Sequence, residues 1–205
     1  MEDAKSLSER VYNTLTEEIV RGEYHAHDII NEGTLAEKFG CSKAPVRDAL
    51  SVLCTEGILR NLPRFGYEVV AFSPTDVRDI LKVRELLECG LLQSAYEKLS
   101  PKKLEILWDL AKQGEEEKAM WLHWNANTAF HLKLMSFTEN SYAYHQLAQI
   151  LNRLKFAYGQ YYWDKWTENF SDDKHHYHRH VMEALEAKDP DSAVRYLMLD
   201  IREFY

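Results

Sequence analysis

Apolar residues repeat every four positions over residues 8–21, at Val11, Leu15 and Ile19, and this period predicts a helix that Gly22 ends. A second, short helix is predicted over Thr34–Phe39, with Leu35 and Phe39 on one face and Gly40 closing it. Ser42 is placed to cap a third helix, whose buried stripe is Val46, Ala49, Leu50 and Leu53 and which Gly57 ends. Two β-like runs follow, Ile58–Leu62 and Tyr67–Phe72, joined by the hairpin signal Pro63-Arg64-Phe65-Gly66. Three helices and a hairpin make the plan of a winged helix-turn-helix.

Ser73-Pro74-Thr75-Asp76 then reads as a cap, a first-turn proline and an acidic third position, and the domain boundary is set here. The expected domains are 1–72, winged helix-turn-helix, and 73–205, all-helical. Helices are predicted over 74–99, 101–113, 115–136, 140–167, 171–188 and 190–204, with Ser100-Pro101 and Lys188-Asp189-Pro190-Asp191 as punctuation. Glu115, Glu116 and Glu117 are read as a helix N-terminus. The fold class is mainly α: a winged helix-turn-helix followed by an antiparallel helical bundle.

Composition narrows the function. No apolar run approaches the ~18 residues a membrane helix needs, and the polar start MEDAKSLSER lacks the apolar core of a secretory signal. Cys41, Cys54 and Cys89 are three and unevenly spaced, which predicts reduced thiols and a cytoplasmic protein. The formal net charge of -8 opposes indiscriminate nucleic-acid binding, so any DNA contact needs a local basic patch. Such a patch exists. Over residues 41–67, Lys43, Arg47, Arg60 and Arg64 face only Asp48 and Glu56, a balance of +2. The apolar stripe of the third helix leaves Ser42, Lys43, Arg47 and Ser51 exposed or near its start, where a recognition helix meets bases and phosphates. The alternative is a solvated helix with ordinary surface charges.

The helical part raises a different chemistry. In 115–136 the inward positions are Met120, Trp124, Asn127, His131 and Leu134; in 171–188 they are His178, Val181 and Leu185; in 190–204 they are Ala193, Leu197, Asp200 and Phe204. His178 and Asp200 stand equally far from Asp189, where the chain turns, so an antiparallel pair sets them side by side. Asn127, His131, His178 and Asp200 thus point inward from three helices and need partners. Either they hydrogen-bond one another or they ligate a divalent transition metal such as zinc, nickel or manganese. In the run His175-His176-Tyr177-His178-Arg179-His180 only His178 fits the inward stripe. Arg84 and Arg153 are candidates for pairing with an anionic effector, or for structural salt bridges with residues such as Glu88. Aromatic residues such as Trp124 and Tyr158 suit a pocket, the core or a dimer contact.

The segment LAEKFGCSKAPVRDALSVLCTEGILRNLPRFGYEV resembles the DNA-binding domain of GntR-family transcription regulators. The resemblance rests on Leu35-Ala36-Glu37, Gly40, Ser42 through Leu50, Glu56-Gly57-Ile58 and Gly66, with Lys43 where the family carries arginine and Cys41 where it carries valine. It implies DNA contact through Ser42, Lys43, Pro45, Arg47, Arg64 and Gly66. The remainder resembles the FCD domain of the FadR subfamily, on Val83 through Glu88, Phe130-His131, and His178 ahead of Glu183 through Asp189. Metal-binding members carry Asp, His, His and His where this chain has Asn127, His131, His178 and Asp200, so one carboxylate is lost and another gained. The resemblance implies a homodimeric regulator binding double-stranded operator DNA and a small effector, a carboxylate, near the metal. The competing readings are a metal-dependent hydrolase with a helical active site, disfavoured by the absence of an evident nucleophile or acid–base pair at motif spacing, and a regulator with a metal-free effector pocket.

Overall fold

A computed structural model describes residues 6–117, 120–168 and 177–202. It divides into two compact units, one of residues 1–73 with 153–165 and the other of residues 74–152 with 166–205.

The first unit starts with α1 (Leu7–Val20), where Ser6 Oγ accepts from the Glu9 amide at 3.1 Å. Its stripe of Val11, Leu15 and Ile19 is buried, as the four-residue repeat predicts, and α1 packs on α3 (Lys43–Thr55). Between them in the chain comes α2 (Glu32–Phe39), which packs on α3 and is capped by the Asn31 side chain, which accepts from the Gly33 amide. Val46, Ala49, Leu50 and Leu53 form the buried face of α3. Ser42 stands at the N-cap position but makes no side-chain capping bond, contrary to the expectation.

The hairpin pairs β2 (Leu59–Leu62) with β3 (Gly66–Val69), with Leu62 opposite Gly66. A two-residue strand, β1 (Ile29–Ile30), adds to the other side of β3 and gives the order β1-β3-β2. Two residues carry no readable period, so the sequence pattern missed it. Gly66 is required by this packing: a Cβ there would stand 2.6 Å from the Ile30 carbonyl oxygen, and its φ is +129°.

The second unit holds α4 (Pro74–Tyr96), α5 (Pro101–Glu116), α6 (Met120–Ser136), the first half of α7 (Ser141–Glu168), α8 (Tyr177–Glu186) and α9 (Pro190–Arg202). Met135, Ala143, Leu147 and Leu151 form one of its apolar cores. α8 and α9 pack together across the turn at Lys188, whose φ is +59°. The glutamates 115–117 do not open a helix: α5 continues through Gly114 to Glu116, and Glu117 is its C-cap. Arg179 pairs with Glu115 and offsets acidic charge at a helix end that favours cations.

The 28-residue helix α7 supplies residues to both units. Its second half joins the winged helix through paired contacts. Gln160 Nε2 donates to the Val70 carbonyl at 2.8 Å while its Oε1 accepts from the Phe72 amide at 3.1 Å. The Tyr161 hydroxyl donates to the Phe72 carbonyl. Gly159 lets the helix approach the end of α1, since a Cβ there would stand 2.7 Å from the Val20 carbonyl oxygen.

Candidate functional site

Helix α3 presents Ser42, Lys43, Ala44 and Arg47 to solvent because its apolar stripe turns the opposite face into the core. Pro45 is half-buried in the first turn, where a missing amide hydrogen forfeits no helical bond. Arg47 is not an isolated side chain. Its Nε and Nη2 donate to Glu32 at 3.1 and 2.9 Å, and the Tyr67 hydroxyl donates to the same carboxylate at 2.9 Å. The Arg47 hydrogen bond is the largest influence on Glu32 and helps hold its pKa below the usual range. On the wing, Arg60 donates to Glu68, which also pairs with His27 at 2.9 Å. Two of the four cations of the basic patch are therefore neutralised, Arg47 by a carboxylate outside the 41–67 window and Arg60 by another just beyond its end. Lys43 and Arg64 are exposed outside these pairs. Arg64 sits at the hairpin tip with φ +72°, a backbone region that non-glycine residues seldom adopt.

The structure gathers the four inward polar residues of the helical unit. His178 Nε2 lies 3.2 Å from His131 Nε2, 3.4 Å from Asp200 Oδ1 and 3.4 Å from the Asn127 amide nitrogen. His131 Nε2 lies 3.0 Å from Asp200 Oδ2. All four side chains are buried. Phe130 stacks on the His178 ring with centroids 4.0 Å apart and fixes its plane. Helical period placed these residues correctly, and the turn at Asp189 brings His178 beside Asp200.

The structure adds Glu88, which the sequence offered only as a salt-bridge partner. Its Oε2 lies 2.6 Å from His131 Nδ1 and its Oε1 accepts from Arg84 Nε at 2.6 Å. Glu88 and Arg84 are an i, i+4 pair on α4, and that spacing is the signal by which they were legible. Glu88 thus holds the Nδ1 hydrogen of His131 and turns its Nε2 toward Asp200. Burial opposes charge on His131, but the Glu88 and Asp200 carboxylates raise its pKa above the imidazole range. Burial likewise opposes charge on Asp200, and His178 and His131 hold its carboxyl well below the usual range.

His131, His178 and Asp200 each offer a ligand atom, all within 4.8 Å of one another. Two nitrogens on one tetrahedral zinc, at about 2.0–2.1 Å from it, stand about 3.3 Å apart, close to the observed 3.2 Å. Asn127 Oδ1 is buried without a hydrogen-bond partner beside these atoms, so the donor set has capacity for a divalent ion. Arg84 is fully buried, and its Nη1 and Nη2 also have no partner. Arg153 is not brought to this cluster. It lies exposed on the half of α7 that packs with the winged helix, over the Phe72 ring at 5.7 Å. The aromatic ring places it there: a guanidinium covers an apolar face at little desolvation cost. Of the histidine run, His178 is buried, His180 is half-exposed and pairs with Glu183, and His175 and His176 lie outside the described residues. Trp124 and Tyr158 are buried.

The winged helix coincides with a match to the bacterial regulatory proteins of the gntR family over residues 7–69, and the helical unit with a match to the FCD domain over residues 79–203. The chain belongs to the GntR family. It is 28% identical over 197 residues to the HTH-type transcriptional regulator YdhC of Bacillus subtilis, covering 91% of this chain and 84% of that one. It is 31% identical over 157 residues to the gluconate operon transcriptional repressor of Bacillus subtilis, covering 73% and 61%. The fold matches Escherichia coli McbR/YncC with a TM-score of 0.77 at 23% identity, over 97% and 94% of the two chains. This GntR-family chain is a transcriptional regulator with a DNA-binding helix-turn-helix and an FCD domain. The hydrolase alternative is set aside, because the matched domains and relatives are regulators. Among the described residues no helix is long and apolar enough to cross a membrane.

Proposed function

We propose that this regulator is a cytoplasmic homodimer whose operator affinity responds to a small carboxylate effector held beside a divalent transition metal. In this reading Ser42, Lys43, Pro45, Arg47, Arg64 and Gly66 form the DNA-contacting surface. Arg47 offers guanine a guanidinium already oriented by Glu32. Lys43 and Arg64 neutralise phosphates, and Ser42, which spends no hydrogen bond on capping, is available to a phosphate oxygen.

Asn127, His131, His178 and Asp200 hold the metal. The observation that carries this is the convergence of two imidazole Nε2 atoms and a carboxylate oxygen, with His131 Nδ1 already tied to Glu88. Zinc, nickel and manganese all accept such a set. Turning the Asn127 amide over would bring its unpartnered Oδ1 toward the cluster. A divalent ion with Asp200, Glu88 and Arg84 leaves one net positive charge in a buried site, which an anionic effector neutralises. The two free Nη groups of Arg84 suit a carboxylate. The relative that represses a gluconate operon is in keeping with this class of effector. Differential effector affinity between two arrangements of the dimer would shift operator binding.

A metal-free pocket is the second reading. It is favoured by His131, which as an imidazolium between Glu88 and Asp200 completes a charge network without any ion. Metal content per chain, measured after purification without nickel or chelator and again after adding zinc, nickel or manganese, separates the two. Bound metal with a raised melting temperature supports the metal site. No retained metal and no thermal shift with any of the three leaves the metal-free pocket.

A further inference from the structure

The tip of the wing is built against ordinary surface chemistry. Phe65 is 75% exposed, an aromatic ring left in water on a hairpin whose neighbours Pro63 and Arg64 are also exposed. The ring is not on a loose loop. The Phe65 amide donates to the Leu62 carbonyl at 3.0 Å, closing a turn with Pro63 at its second position and Arg64 at its third. Arg64 holds φ +72° there, a conformation usually left to glycine or asparagine. Strained backbone of this kind persists where the surroundings over-determine it, and such sites cluster at functional contacts. Directly after the ring, Gly66 is pinned against the Ile30 carbonyl, and Leu62 pairs with Gly66 across the hairpin.

The base of the wing is also tied to the recognition helix. Tyr67, next to Gly66, donates to Glu32, and Glu32 holds Arg47. The tip and the base-reading arginine therefore belong to one fixed frame. A cation and an apolar ring presented side by side match what a minor groove accepts. Its negative potential attracts arginine, and apolar side chains inserted between base steps unstack them and kink the duplex.

We propose that Phe65 is a minor-groove wedge: it inserts at a deformable base step beside the site read by α3 and bends the operator. The proposal rests on the operator-binding reading and adds a specificity element that no major-groove contact supplies. The wedge favours pyrimidine–purine steps such as TA or CA/TG, which kink most readily.

Selection from a random-sequence duplex library tests this, because the library contains every short operator. Wild type, Phe65→Ala and Phe65→Leu are selected in parallel, and bending of the wild-type consensus duplex is followed by fluorescence energy transfer between its ends. Because the ring is exposed, all three proteins should melt at the same temperature. Wild type and Phe65→Leu should enrich a flexible step flanking the core motif and bend the duplex. Phe65→Ala should keep the core motif, lose the flanking preference and the bend, and bind the wild-type consensus roughly tenfold more weakly, the scale of one lost base-step contact. Unchanged flanking preference and bend in Phe65→Ala would overturn the wedge, as would a change confined to oligomeric state, which would assign the ring to a protein contact. If wild type enriches no sequence, the operator reading fails and the wedge fails with it.

Discussion

Glu32 grips Arg47 through two hydrogen bonds, from Nε at 3.1 Å and Nη2 at 2.9 Å. The pair fixes the guanidinium near the start of α3 and is itself fixed by Tyr67. Arg47→Ala should weaken specific operator binding by about 1–3 kcal/mol, the range of a bidentate base contact. Glu32→Gln should reduce the ratio of specific to non-specific affinity, since it removes the carboxylate that neutralises Arg47, which raises attraction to phosphates, while releasing the orientation of the guanidinium. Titrations at fixed salt read both. Unchanged specific affinity in both variants would mean that Arg47 does not read the operator.

The buried cluster predicts two opposite substitutions. His131→Ala should abolish retention of a divalent metal, because it removes the imidazole nitrogen that faces both His178 and Asp200. Asp200→His should tighten retention, since it restores the third imidazole that the resembled metal-binding members carry at this position of α9. Elemental analysis per chain checks both. Equal metal content in wild type and His131→Ala would place the ion elsewhere.

The split of α7 between the two units predicts a limit on dissection. A fragment of residues 74–205 should stay helical but lose amide protection over 153–165. Those residues pack with the winged helix in the whole chain, through Gln160 on Val70 and Phe72 and Gly159 against Val20. Hydrogen exchange reads this residue by residue. Protection there equal to that in the full chain would show that α7 does not depend on the winged helix.

Lys155 predicts a pH dependence. Burial is the largest influence and pushes its ammonium down to about 8, although Glu56 and Glu17 act to raise it. An unfolded lysine titrates near 10.4, so between about 8 and 10.4 the unfolded chain binds more protons than the folded one. The contribution of Lys155 to stability therefore rises with pH across that window, and its charge is a full penalty below about 8. Lys155→Met should be more stable than wild type at pH 7, by about 1–3 kcal/mol, and the gap should close toward pH 10. Denaturant titrations across pH give the result. A gap that stays constant with pH would refute the assignment.

The sequence by itself determined every element whose hydrophobic period runs long enough to be read. The three helices of the winged domain, with Val46, Ala49, Leu50 and Leu53 facing in, follow from repeats of three and four residues. So do the inward positions of Asn127, His131, His178 and Asp200, because a helix fixes which side chains share a face before any packing occurs. The tertiary structure decided what no period encodes. Ile29–Ile30 becomes a strand only because β3 offers it an edge. Glu115–Glu117 ends a helix rather than starting one, with Arg179 available to Glu115 across the fold. Glu32 neutralises Arg47 across 15 residues, and Glu88 orients His131 across 43. Arg153 and Arg84 look alike along the chain, yet one lies over Phe72 in solvent and the other is sealed beside Glu88. The reason is common to all of these. Local spacing fixes the direction of a side chain relative to its own element, whereas partners, charge compensation and burial depend on which distant element arrives to face it.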